Sequence, residues 1–107
     1  MATVTWSDHA MECMREQARY ISEQVRSSEI AWEWANDIFA EADGLSDFPD
    51  IGHCIPEFPD APYREILVRK NFRLIYRRAG DVCYIVTIRR CSMLLDEAAM
   101  MEFDSVR

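Results

Sequence analysis

From Met11 the apolar residues recur in steps of three and four: Met11, Met14, Ala18, Ile21 and Val25 make one stripe at helical spacing. Glu12, Arg15, Glu16, Arg19 and Glu23 occupy the opposite face. Ser7-Asp8 before the stripe supplies a capping hydroxyl and an acid at the positive end of the helix dipole. Ser27-Ser28 interrupts the pattern and offers a second cap, after which Ala31, Trp34, Ala35, Ile38, Ala42 and Leu45 form a second stripe. The short connection predicts an antiparallel helical hairpin. Ahead of it, residues 2–6 (Ala-Thr-Val-Thr-Trp) are β-branched and predict a strand.

Beyond the hairpin the pattern changes. Residues 48–62 hold all four prolines and Gly52, with Phe48, Ile51, Ile55 and Phe58 as apolar anchors of an ordered loop. From Tyr63 three runs, Ile66–Val68, Phe72–Tyr76 and Val82–Ile88, read as strands. Arg69-Lys70-Asn71 and Ala79-Gly80-Asp81 are the turns of an antiparallel meander. Both strand faces carry apolar residues, so the face away from the helices is covered as well. Residues 94–103 predict a short last helix. The expected fold is a single α+β domain over 1–107, β-α-α-β-β-β plus a C-terminal helix, with an antiparallel sheet on the hairpin.

Charge sharpens the picture. The net charge of −7 opposes nucleic-acid binding by the chain itself. Its distribution is uneven: residues 1–62 sum to −10, residues 63–91 to +6 and residues 92–107 to −3. An anionic partner should therefore meet the basic block. No apolar run reaches the ~20 residues of a membrane span, and the first residues lack a secretion signal, so a cytoplasmic protein is expected. Cys13, Cys54, Cys83 and Cys91 form no Cys-x-x-Cys pair, and only His9 and His53 accompany them. The reading is reduced thiols, no metal and no cofactor.

Short motifs in order carry a family resemblance. Phe48-Pro49-Asp50-Ile51-Gly52, Ile55-Pro56-Glu57-Phe58, Tyr63-Arg64-Glu65-Ile66-Leu67-Val68 and Asn71-Phe72-Arg73-Leu74-Ile75-Tyr76-Arg77 are similar to the Phe-Pro-x-x-Gly, Val-Pro-Glu-Phe and paired-strand signatures of RelE/ParE toxins. The similarity spans nearly the whole chain. It implies the toxin half of a type II toxin–antitoxin pair, bound by a cognate ParD-like antitoxin. RelE-like relatives cut messenger RNA on the ribosome, and ParE-like relatives poison DNA gyrase.

The residues favour the second branch. A nuclease needs cations for the phosphate and a titratable group to move a proton. Arg73 occupies the matching strand position, and Arg64, Arg89 and Arg90 are further phosphate or target contacts. After Arg90, however, the chain holds neither Tyr nor His. The implied function is a gyrase-inhibiting binding protein. The alternatives are an endoribonuclease with Arg73 and Arg90 at the phosphate, or a non-toxic antitoxin-binding relative. The arginines read equally as a solvated strand face, Tyr76 and Tyr84 as core residues, and His53 as a passive loop side chain. Trp32 lies off the main stripe, whereas Trp34 belongs to the core. Trp32 is a candidate antitoxin anchor. Leu94, Leu95, Met100, Met101 and Phe103 are further candidates, or else close the core.

Overall fold

A computed structural model describes residues 1–105. Strand β1 (Thr3–Trp6) leads into helices α1 (Asp8–Val25) and α2 (Ser28–Asp43), then a 3-10 turn, Gly44–Ser46. The proline loop contains a two-residue strand, β2 (His53–Cys54). The meander is β3 (Tyr63–Val68), β4 (Phe72–Ala79) and β5 (Val82–Arg90), and helix α3 (Glu97–Ser105) follows.

Both expected caps form. Ser7 Oγ accepts from the Ala10 N–H at 3.0 Å, and Ser27 Oγ accepts from Ile30 at 3.2 Å. The second stripe is buried as its spacing requires: Ala31, Trp34, Ile38, Ala42 and Leu45 all enter the core. Each large member contributes about 1.5–3 kcal/mol by leaving water. Leu74, Tyr76, Ile85 and Ile88 answer from the sheet. In the β3–β4 turn, Arg69 and Lys70 take the left-handed backbone (φ 54° and 63°), not Asn71, while Gly80 (φ 60°) does so in the next turn.

Two expectations change. The sheet is mixed, in the order β1-β5-β4-β3-β2, because β1 pairs with β5 in parallel. The β1–β5 connection spans the whole hairpin and meander, so β1 is not bound to run antiparallel. Beyond β1, the start of α1 takes over the edge of β5: Ser7 N–H donates to Ile85 O, and Ser7 Oγ donates to Val86 O. The proline loop is anchored by Ile55 and Phe58, but Phe48 and Ile51 stand in solvent at 64% and 66% exposure.

Gly52 gives the Phe-Pro-x-x-Gly segment a physical reason. A Cβ there would lie 2.7 Å from the Tyr76 ring and 2.9 Å from the Glu65 carbonyl oxygen. Instead the Gly52 N–H donates to the Tyr76 hydroxyl, which donates to Pro49 O, both at 2.9 Å. Tyr76 is thus a core tyrosine with a satisfied hydroxyl. On the sheet's second face Ile55, Tyr63, Ile75 and Val86 lie under Leu95 and Met100. A bulge between Ile75 and Tyr76 shifts the β4–β5 register, so Ile75 faces Thr87 and Tyr76 faces Ile85.

Candidate partner and target surfaces

The basic strands are the first place to look for a site, and most of their charge is already used. Arg73 is 7% exposed in its side chain. Its Nη1 and Nη2 donate to the two carboxylate oxygens of Glu57 at 2.7 and 2.8 Å, and its Nε donates to Glu65 at 2.6 Å. The paired guanidinium holds the Glu57 carboxyl down at about 2. The same carboxylate accepts the Leu95 N–H at 3.2 Å, so one side chain joins the proline loop, the sheet and the approach to α3. Arg64 donates to the carbonyls of Gly52 (2.7 Å) and Asp50 (3.3 Å). Arg69, Arg77 and Arg78 pair with Asp37, Asp104 and Asp50.

Arg89 and Arg90 rest on aromatic rings. The Arg89 guanidinium lies 5.3 Å from the Phe103 centroid, and that of Arg90 lies 4.8 Å from Tyr20. Both line a trough along α1 formed by two adjoining hollows, of about 620 and 430 Å³, which share Gln17, Tyr20, Phe72, Arg90 and Ser92. Arg69 reaches the larger hollow and Arg89 the smaller. Apolar walls come from Ile21, Ile30 and Trp34, the last stacked edge-on to Phe72 at 5.1 Å. Two donors near this region, Trp34 Nε1 and Arg89 Nε, are buried with no hydrogen-bond partner among the described residues. The trough can accept an apolar segment carrying acidic groups.

The apolar candidates divide. Trp32, Leu94 and Met101 are 68%, 85% and 65% exposed. Leu95 and Met100 are buried in the second core, and Phe103 is half-buried against it. These three close the fold. The structure therefore brings Arg89 and Arg90 together on the trough, spends Arg64 and Arg73 within the fold, and leaves Trp32, Leu94 and Met101 outside.

A cluster that sequence reading missed lies where α1, β5 and α3 meet. His9 Nε2 is 3.0 Å from Thr87 Oγ1 and 3.2 Å from Cys13 Sγ. The imidazole stacks on Phe103, centroids 3.8 Å apart with 2° between planes. Burial and the Arg89 charge, in that order, lower the His9 pKa, against smaller opposing effects of Glu16 and Glu102. The signal was present as His-x-x-x-Cys, the i,i+4 spacing that puts two side chains on one helix face. Tyr84 sits under Arg77 at 4.8 Å, and His53 is exposed, 3.6 Å from Glu65. No helix among the described residues is long and apolar enough to cross a membrane.

Known proteins share this architecture. The profile of the ParE toxin of the type II toxin–antitoxin system parDE matches residues 4–95. No curated protein matches by sequence. A solved chain from the chromosomal ParDE system of P. aeruginosa superposes with a TM-score of 0.71 at 20% identity, covering 84% of this chain and 96% of that one. At that identity the superposition shows the shared fold, while the profile match reaches from β1 to Leu95. The chain belongs to the ParE toxin family of type II toxin–antitoxin systems.

Proposed function

We propose that the chain is a ParE-type toxin that inhibits DNA gyrase by binding it, and that an antitoxin encoded beside it holds it silent. The observation that carries this reading is the state of Arg73. In the nuclease branch that strand position serves the phosphate; here Glu57 and Glu65 occupy the guanidinium on three of its nitrogens. Bringing a phosphate to Arg73 requires breaking a buried ion pair, which costs several kcal/mol, about 3–5. Leu95 and α3 cover the same face. A binding function needs none of that chemistry.

The antitoxin fits the trough. An amphipathic helix laid along α1 would bury its apolar face against Ile21 and Ile30 and present acids to Arg89 and Arg90. Trp32, on the exposed side of α2, is a further anchor. Pulse labelling after induction of the lone protein tests the target. Under this reading DNA synthesis falls first, and the purified protein blocks supercoiling by gyrase. An earlier fall in protein synthesis would instead indicate cleavage of messenger RNA on the ribosome, and normal growth with soluble protein would indicate a non-toxic relative.

A further inference from the structure

We infer that Cys13 is a thiol-modification site, specific for small disulfides that carry carboxylates. Helical spacing sets the His9 imidazole 3.2 Å from Cys13 Sγ. The thiol is neither sealed in the core nor in open solvent: it lines the hollow of about 430 Å³, whose walls also carry Arg89 and Arg90. One acid, Glu16, shares those walls. A thiol next to a base, at the side of a hollow holding two guanidiniums and one carboxylate, has what exchange with an anionic disulfide requires. The other cysteines lack this combination. Cys83 is fully buried, while Cys54 and Cys91 are exposed and hydrogen-bonded to no imidazole in the structure.

The step balances without an outside oxidant. With its proton on Nδ1, His9 accepts the Cys13 thiol proton at Nε2. The sulfur attacks one sulfur of the incoming disulfide, a Cys13–S bond forms, and the reagent's S–S bond breaks. The departing thiolate leaves with the electron pair and takes up the proton. Cys13 is oxidised to the mixed disulfide as half of the reagent is reduced to thiol. The adduct's carboxylates then lie against Arg89 and Arg90.

Oxidised glutathione, which carries four carboxylates, and uncharged hydroxyethyl disulfide are the probes. Adduct formation at each cysteine of the folded wild-type chain is followed by peptide mass spectrometry. Cys13 should react with oxidised glutathione roughly tenfold or more faster than Cys54 or Cys91. Its preference for the anionic reagent over the neutral one should shrink as salt is raised. H9Q should remove the rate advantage at Cys13 and leave Cys54 and Cys91 unchanged, and R89Q/R90Q should remove the charge preference. Cys13 reacting no faster than Cys54 and Cys91, or equally with both reagents at low salt, overturns the assignment. Those wild-type comparisons decide the matter even if H9Q fails to fold.

Discussion

Glu57 allows the sharpest test of how this fold holds together. Its carboxylate accepts from two nitrogens of Arg73 and from the Leu95 N–H. Its folded pKa is lowered from 4.5 to about 2. A depressed acid contributes stability that is fully present above the unfolded value, near 4.5, and is lost as pH falls through the folded value. At roughly 1.4 kcal/mol per pH unit the difference comes to about 3.5 kcal/mol. The carboxylate is 21% exposed, and solvent screening brings the expectation to about 2–3 kcal/mol. E57Q keeps the shape and removes the charge. In urea unfolding at pH 7, followed by the fluorescence of buried Trp34, E57Q should be less stable by that amount. With a slope of roughly 1–1.5 kcal/mol per molar urea, the midpoint falls by about 2 M. The gap should persist to pH 5 and shrink below 4.5, with more than half gone by pH 3. A gap that is the same at pH 7 and pH 3, or below about 0.5 kcal/mol throughout, would refute the ion-pair argument. The triple change R73M/E57Q/E65L should recover much of what R73M alone loses, because a buried pair broken on one side costs more than one removed whole.

G52A should lower stability by about 1–3 kcal/mol, seen as a lower thermal midpoint, because the new methyl meets a backbone oxygen that cannot step aside. The His9 imidazole, followed by NMR against pH, should titrate below its ordinary value of 6.5 in the wild type and closer to it in F103A, where the stacked ring no longer shields it. Since a lowered histidine favours the fold in its neutral form, that part of the stability is present above pH 6.5 and is lost as the pH drops through the folded value. An unchanged His9 titration in F103A would mean that Phe103 contributes nothing to the burial. W32A should leave stability within about 0.5 kcal/mol, as its exposure implies, while weakening capture of the antitoxin at least tenfold by calorimetry.

Local pattern and long-range partnership were legible to different degrees. The hairpin was readable because each stripe records one buried face, and the contrast between Trp32 and Trp34 follows from the same geometry. The direction of β1 was not, since its partner β5 lies almost eighty residues on and four residues of strand-forming sequence carry no orientation. The burial of Arg73 was half legible. In the β3–β4 register Leu67 faces Arg73 and Glu65 faces Ile75, so Glu65 and Arg73 are diagonal neighbours on one face, as the three-residue turn Arg69-Lys70-Asn71 makes them. Glu57 reaches the same guanidinium from an irregular loop, and no period in the sequence announces that. The exposure of Phe48 and Ile51 ran against the apolar reading for the same reason: a loop gives no face from which to infer burial.

The basic block in this acidic chain is better understood as an attachment point than as an interface for nucleic acid. Its arginines draw acids from three separate segments: Asp37 from α2, Asp50 and Glu57 from the proline loop, and Asp104 from α3. The two outer pairs, Arg69–Asp37 and Arg78–Asp50, are half exposed, so solvent screens them and they hold little. Arg73 and Arg77 are shielded and bind the loop and α3 to the sheet more firmly. Once these pairs form, the +6 of the block is largely compensated, and a chain at −7 repels phosphate backbones as a whole. What remains available, Arg89 and Arg90 beside an apolar trough, suits a protein segment with a few acids set among hydrophobic residues. Substituting Arg90 should therefore weaken a protein partner at fixed salt by more than it changes any residual affinity for nucleic acid.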